Sequence, residues 1–171
     1  MDESVVMATR DAEANGLHRF VRRLATKRPV IWVFSRVLHH LDKLVFRLTN
    51  GRQTAASIFT GLPVIHLTTI GAKSGQPRTV PLIGSPDGDK IVIIASNWGQ
   101  KQYPAWYYNV RANGAVVVEQ NGRSANYTAQ EVAGPEREKY WQLAHQYYLG
   151  FATYAQRASN RHLPVIILKP K

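Results

Sequence analysis

"VIHLTTIGAKSGQPRTVPLIG", residues 64–84, decides how the rest of the chain is read. Two short apolar runs, 64–70 and 78–84, flank Gly71, Ala72, Lys73, Ser74 and Gly75. A Lys-Ser pair invites comparison with the phosphate loop of nucleotide hydrolases, which needs glycine directly before the lysine and a helix after it. Neither holds. Ala72 precedes Lys73, and Pro77 and Pro81 forbid a helix through the following residues. The stretch reads instead as a β-hairpin with an exposed, cationic turn.

The same texture continues outward. "SPDGD" (85–89) is a strong turn signal, followed by the β-rich "KIVIIAS" (90–96). "AVVVEQ" (115–120) and "RSANYTAQEV" (123–132) are joined by Asn121-Gly122, the strongest short hairpin signal. "HLPVIILKP" (162–170) reads as a final strand. Helices are expected at 104–113, which opens with Pro104, and at 134–148, which has acids in its first turn. The fold class is α+β, mainly β: a small barrel of about six antiparallel strands with peripheral helices.

Upstream, residues 30–48 read as an amphipathic helix. Ile31, Phe34, Leu38, Leu41, Val45 and Leu48 fall within about one third of its circumference, opposite Arg36, Lys43 and Arg47. The net charge is +11, and residues 17–52 hold nine Lys/Arg against the single acid Asp42. Three segments are expected: a flexible tail over 1–16, a basic amphipathic helical segment over 17–50, and the barrel over 51–171. The basic helix either packs on the barrel or lies on an anionic membrane surface. Nucleic-acid binding is not expected, because no reading motif accompanies the charge.

Other chemistries are excluded by what the chain lacks. Without cysteine there is no disulfide, thiol nucleophile or thiolate metal site, and a reducing, cytoplasmic compartment is expected. No HExxH, no Ser-His-Asp arrangement and no placed carboxylate pair occurs, and no metal site is expected. Catalysis by the protein's own groups looks poor. An enzyme of this kind relies on a cofactor that the protein binds and orients.

"TTIGAKSGQPRTVPL", "ASNWG" and "YPAWYYNVRANGAVVV" together resemble the deazaflavin-dependent nitroreductase family. Its pattern runs roughly T-G-R-K-S-G-x-x-R-x-x-P-L, then A-S-x-x-G, then P-x-W-x-x-N-L. The resemblance extends from about residue 45 to the C-terminus. It implies a split β-barrel of the FMN/F420-binding type, the cofactor F420, hydride transfer to a small acceptor and an actinobacterial source. F420 joins a flat deazaflavin to a phosphate and glutamate tail, so a cationic turn with free amides suits it.

By the resemblance, the cofactor is bound by Ala72, Lys73, Ser74, Gly75, Arg78, Thr79, Val80, Pro81 and Leu82 on the hairpin. Ile94, Ala95, Ser96 and Asn97 lie beside the ring, and Ala105, Trp106, Tyr107, Tyr108 and Asn109 close over it. Trp106 and Asn109 equally suit core anchoring. Ser96, Tyr148 and Tyr154 are candidates for orienting the acceptor, with Phe151 in its pocket. Tyr148, Phe151 and Tyr154 have the spacing of one helical face. The chain departs from the family at Ala72, where arginine is usual, at Trp98, where a small residue is usual, and at Phe151, which replaces a tyrosine.

The implied function is an F420-dependent oxidoreductase passing hydride to a quinone-like, nitro or other electron-poor acceptor. Alternatives are FMN on the same barrel, and a non-catalytic barrel holding F420, FMN or a fatty-acid or other lipid ligand. Oligomeric state is left open.

Overall fold

The computed structural model describes residues 61–158 and 161–171, together with Gly16, Arg19 and Phe20. The expected helix over 30–48 and the boundary near residue 50 lie outside the described residues.

The quoted stretch is a hairpin. β1 (Val64–Ile70) pairs antiparallel with β2 (Pro77–Ile83), from Val64 opposite Ile83 to Ile70 opposite Pro77. Pro77 and Pro81 are tolerated because β2 is an edge strand, where missing N–H donors break no ladder. After the single residue Gly84, a short β3 (Ser85–Asp87) pairs with β4 (Lys90–Ile94) across Gly88, whose φ is +63°. β5 (Ala115–Gln120) and β6 (Arg123–Val132) are joined by Asn121 and Gly122 with φ of 53° and 74°. Positive φ at both central residues is what a two-residue hairpin turn demands. β7 (Val165–Pro170) completes a seven-stranded antiparallel sheet of order β2-β1-β5-β6-β7-β4-β3.

The sheet order forces the shape. β2 and β3 are the two edges, yet Gly84 alone separates them in the chain. The sheet must therefore curl until its edges approach, which makes the expected barrel. Seven strands replace the expected six, because the "SPDGD" turn contains β3. Gly84 sits where the edges meet, and a Cβ there would lie 2.8 Å from methyls of both Ile65 and Ile91.

Alternation along the strands builds two apolar cores. Ile65, Leu67, Ile91, Ile93, Val116, Val118, Ile166 and Leu168 fill the barrel lumen. The helix α1 (Ala105–Ala112) joins them with Trp106, Tyr107 and Val110. On the outer face Val92, Ile94, Val165 and Ile167 pack against α2 (Gly134–Tyr147) and α3 (Gly150–Ala158). β4 and β7 are thus buried on both faces. Among the described residues, no helix is long and apolar enough to cross a membrane.

Candidate functional site

The β1–β2 turn is held from inside and from below. The Gly71 N–H donates to the Gln76 carbonyl at 2.9 Å, and the Gly75 N–H to the Gly71 carbonyl at 2.8 Å. Gly75 has φ of +64°, and the Ser74 hydroxyl accepts the Gln76 N–H at 3.3 Å. Asn109 of α1 then grips the turn. Its Oδ1 accepts the Ala72 N–H at 2.9 Å, and its Nδ2 donates to Thr69 Oγ1 at 3.0 Å. The Thr69 hydroxyl in turn donates to the Arg78 carbonyl at 3.4 Å. Both Asn109 and Thr69 are buried, so both ends of the asparagine amide are committed to holding the turn.

This leaves Lys73, Ser74, Gly75, Arg78 and Thr79 exposed on one hairpin end. Among the described residues, no protein acceptor takes the Lys73 or Ser74 amide. Free amides beside two cations on a clamped turn are groups that can meet an anion. Pro81 is exposed further along β2, while Val80 and Leu82 point toward the lumen and are half-buried.

A second structured loop follows β4. Ile94 and Ala95 are buried, and the Ala95 N–H donates to the Pro164 carbonyl at 2.9 Å. Ser96 and Asn97 are half-buried, and the Asn97 side chain donates to the Gln102 carbonyl at 2.9 Å. Asn97, Trp98 and Gly99 all hold left-handed backbone. Trp98, 39% exposed, meets the Tyr154 ring edge-on at 5.9 Å.

Beyond this loop α1 divides its residues. Ala105 and Tyr108 are exposed, Trp106 lies in the lumen core, and Tyr107 is buried with its hydroxyl donating to Glu131 at 2.8 Å. Burial, and then that hydrogen bond, push the Tyr107 hydroxyl up to about 12.

Tyr148, Phe151 and Tyr154 do come together, but not on one helix. α2 ends at Tyr147, Tyr148 is extended, and α3 restarts at Gly150. The Tyr148 ring folds over Gly150, where any Cβ would collide with it. The two tyrosine hydroxyls bond each other at 2.8 Å, and the Phe151 ring packs edge-on against Tyr148 at 5.3 Å. All three are buried. Burial, with the neighbouring Tyr148, raises the Tyr154 pKa far above its ordinary value.

The structure thus gathers the expected residues in two groups. The hairpin end is tied to α1 by Asn109, and the post-β4 loop is laid against α3 beside the tyrosines. Sequence reasoning missed Thr69, which anchors Asn109, and Arg161, which donates to the Ala95, Ser96 and Gln100 carbonyls. It also missed Gly99, whose absent side chain lets the loop lie on α3.

Comparison with known proteins agrees with the split-barrel fold. The model of the F420H(2)-dependent quinone reductase family matches residues 40–170. An F420H(2)-dependent quinone reductase of Mycobacterium tuberculosis is 34% identical over 133 residues, covering 77% of this chain and 89% of its own. A solved F420-H2 dependent reductase, FDR-A, shares 39% identity over 63% of this chain and 94% of that one, with a TM-score of 0.58. Another solved structure, described as a domain-swapped dimer, shares 34% identity over 82% and 99%, with a TM-score of 0.61.

Proposed function

The chain belongs to the F420H(2)-dependent quinone reductase family, and on that premise we propose how its residues hold F420 and meet the acceptor. The observation that carries the reading is the Asn109 clamp, which rigidifies a turn whose Lys73 and Ser74 amides and whose Lys73 and Arg78 charges are left for a ligand. That donor set fits a phosphate-bearing, polyanionic tail. Reduced F420, when bound, supplies a hydride from its deazaflavin ring.

The remaining work falls to the protein. Lys73, Ser74 and Arg78 hold the tail, with Ala72, Gly75 and Thr79 forming the backbone of the grip. Val80, Pro81 and Leu82 carry the strand that places it. Ile94, Ala95, Ser96 and Asn97 border the ring with backbone groups. Ala105 and Tyr108 flank it from α1, while Trp106, Tyr107 and Asn109 set the position of that helix from within. Ser96 presents a hydroxyl for the acceptor oxygen. Tyr148 and Tyr154 satisfy each other and, with Phe151, support Trp98 as one wall of the acceptor pocket. The acceptor is quinone-like, nitro or otherwise electron-poor.

The basic segment 17–50 suits contact with an anionic membrane, where lipid-soluble acceptors are found. A cytoplasmic protein attached to the inner membrane face is the location this implies.

Fluorescence titration with F420 and with FMN, on wild type and on Lys73→Ala/Arg78→Ala, tests the reading. Wild type binds F420 more tightly than FMN, and the double variant loses at least about tenfold in F420 affinity at low salt, less as salt screens the exposed charges. Folded wild-type protein that ignores F420 would refute it.

A further inference from the structure

Asn97, Trp98 and Gly99 have φ of 45°, 58° and 76°. Left-handed backbone is uncommon for residues with side chains and an outlier for one as bulky as tryptophan. Such a run persists only where the surroundings over-determine it. On one side α3 does so: a Cβ on Gly99 would come within 2.7 Å of Arg157 Cβ and 2.8 Å of the Tyr154 carbonyl oxygen.

On the other side stands Arg161. Its Nε donates to the Gln100 carbonyl at 2.9 Å, Nη1 to the Ala95 carbonyl at 3.3 Å and Nη2 to the Ser96 carbonyl at 2.7 Å. The guanidinium also lies over the Tyr103 ring at 4.7 Å. Its acceptors bracket the left-handed run from both ends. A planar fork meets such a spread of carbonyls from three separate nitrogens, whereas an ammonium offers its donors from one point.

The peptides here are trans, so each carbonyl and the N–H of the same plane point in opposite directions. Arg161 holds the Ser96 carbonyl, which turns the Asn97 N–H away from the guanidinium. Among the described residues, no protein acceptor takes that N–H. We propose that Arg161 is a positioning residue for the cofactor: by gripping the Ala95, Ser96 and Gln100 carbonyls it fixes the post-β4 loop and aims the Asn97 N–H at the polar edge of the deazaflavin. The proposal rests on the F420 reading above. It adds a residue outside the resembling motifs that acts on the ring and not on the tail. A guanidinium bonded to the carbonyl also polarises the peptide and strengthens its N–H as a donor.

The test compares wild type, Arg161→Met and Arg161→Lys. The readouts are thermal unfolding without cofactor, and fluorescence titration with F420 and with a deazaflavin riboside lacking phosphate and glutamates. Arg161→Met, folded at the assay temperature, should bind both ligands at least tenfold more weakly. Arg161→Lys should recover only part, since it restores charge but not the fork. Lys73→Ala/Arg78→Ala should weaken F420 alone and leave the riboside untouched, which separates ring from tail.

Wild-type affinity for both ligands in a folded Arg161→Met overturns the proposal. A loss confined to F420 also overturns it, by placing Arg161 on the tail. Should the methionine variant fail to fold, wild-type affinity in Arg161→Lys overturns it equally. Wild-type protein that binds neither ligand removes the cofactor reading and this proposal with it.

Discussion

Replacing Asn109 with alanine cuts the link between α1 and the cationic turn, and the structure sets the size of the effect. Two hydrogen bonds are lost, one to the Ala72 N–H at 2.9 Å and one to Thr69 Oγ1 at 3.0 Å. The Ala72 amide sits on an exposed turn where water replaces the asparagine, so its loss costs about 0.5–1 kcal/mol. Thr69 is buried and water cannot reach it, so that side costs about 1–2 kcal/mol. The sum, about 1.5–3 kcal/mol, corresponds to a Tm lower by about 3–12 °C for a domain of this size. Calorimetry reads the global effect, and amide exchange reads the local one: the Ala72 N–H should exchange several-fold faster. Asn109→Asp keeps an acceptor for Ala72 but has no donor for Thr69, so it should restore slow exchange at Ala72 without restoring Tm. Thr69→Val combined with Asn109→Ala should cost less than the two changes summed, because they remove a shared contact. Unchanged Tm and unchanged Ala72 exchange in Asn109→Ala would refute the clamp.

Two further outcomes follow from the packing. Gly84→Ala drives a methyl to 2.8 Å from the Cγ2 atoms of Ile65 and Ile91, both stiff β-branched side chains, and should lower stability by about 1–3 kcal/mol. A wild-type Tm in this variant would mean that the barrel edges do not meet tightly there. Tyr107 is pushed up to about 12 and Tyr154 is raised as well, above an ordinary value of 10. Their contribution to stability is complete below pH 10 and is lost as pH rises above 10 toward the folded values. Urea midpoints at pH 9, 10 and 11 should fall accordingly, and the double variant Tyr107→Phe/Tyr154→Phe should flatten the slope.

How legible the fold and site were depends on the range of the forces involved. The β5–β6 hairpin is local: Asn121 and Gly122 accept positive φ, and the strands follow. Lys73 and Arg78 were legible as exposed cations because two strands and a turn suffice to place them. β3 was not, since its three residues have no alternation to display and include Pro86. The break between α2 and α3 escaped because Tyr148, Phe151 and Tyr154 keep helical spacing. The break lies at Tyr148, which is extended, lays its ring over Gly150 and bonds the Tyr154 hydroxyl. Arg161 left no trace at all. Its acceptors are backbone carbonyls more than sixty residues away, and a carbonyl looks the same beneath every side chain.

These ranges also explain why the family's separated motifs occur together. Asn109, which lies 37 residues from Ala72, clamps the Lys73 turn, so the first and third motifs form one mechanical unit. The Ser96–Gly99 loop is held by a different set, Arg161 on one flank and α3 on the other. The tyrosine pair belongs to that second set, with the Tyr154 ring against Trp98. Changes in Trp98 or Phe151 should therefore alter acceptor preference with little effect on the grip of Lys73 and Arg78. Distant sites without shared partners add in free energy. A chain can then depart from its relatives at Trp98 and Phe151 while keeping intact the hairpin we propose for the cofactor tail. The joint between the sets is Gly99, where loop and α3 touch too closely for any side chain. Of the three family departures, Ala72 alone falls within the clamped hairpin, and there the clamp uses only its backbone N–H, which any residue except proline supplies.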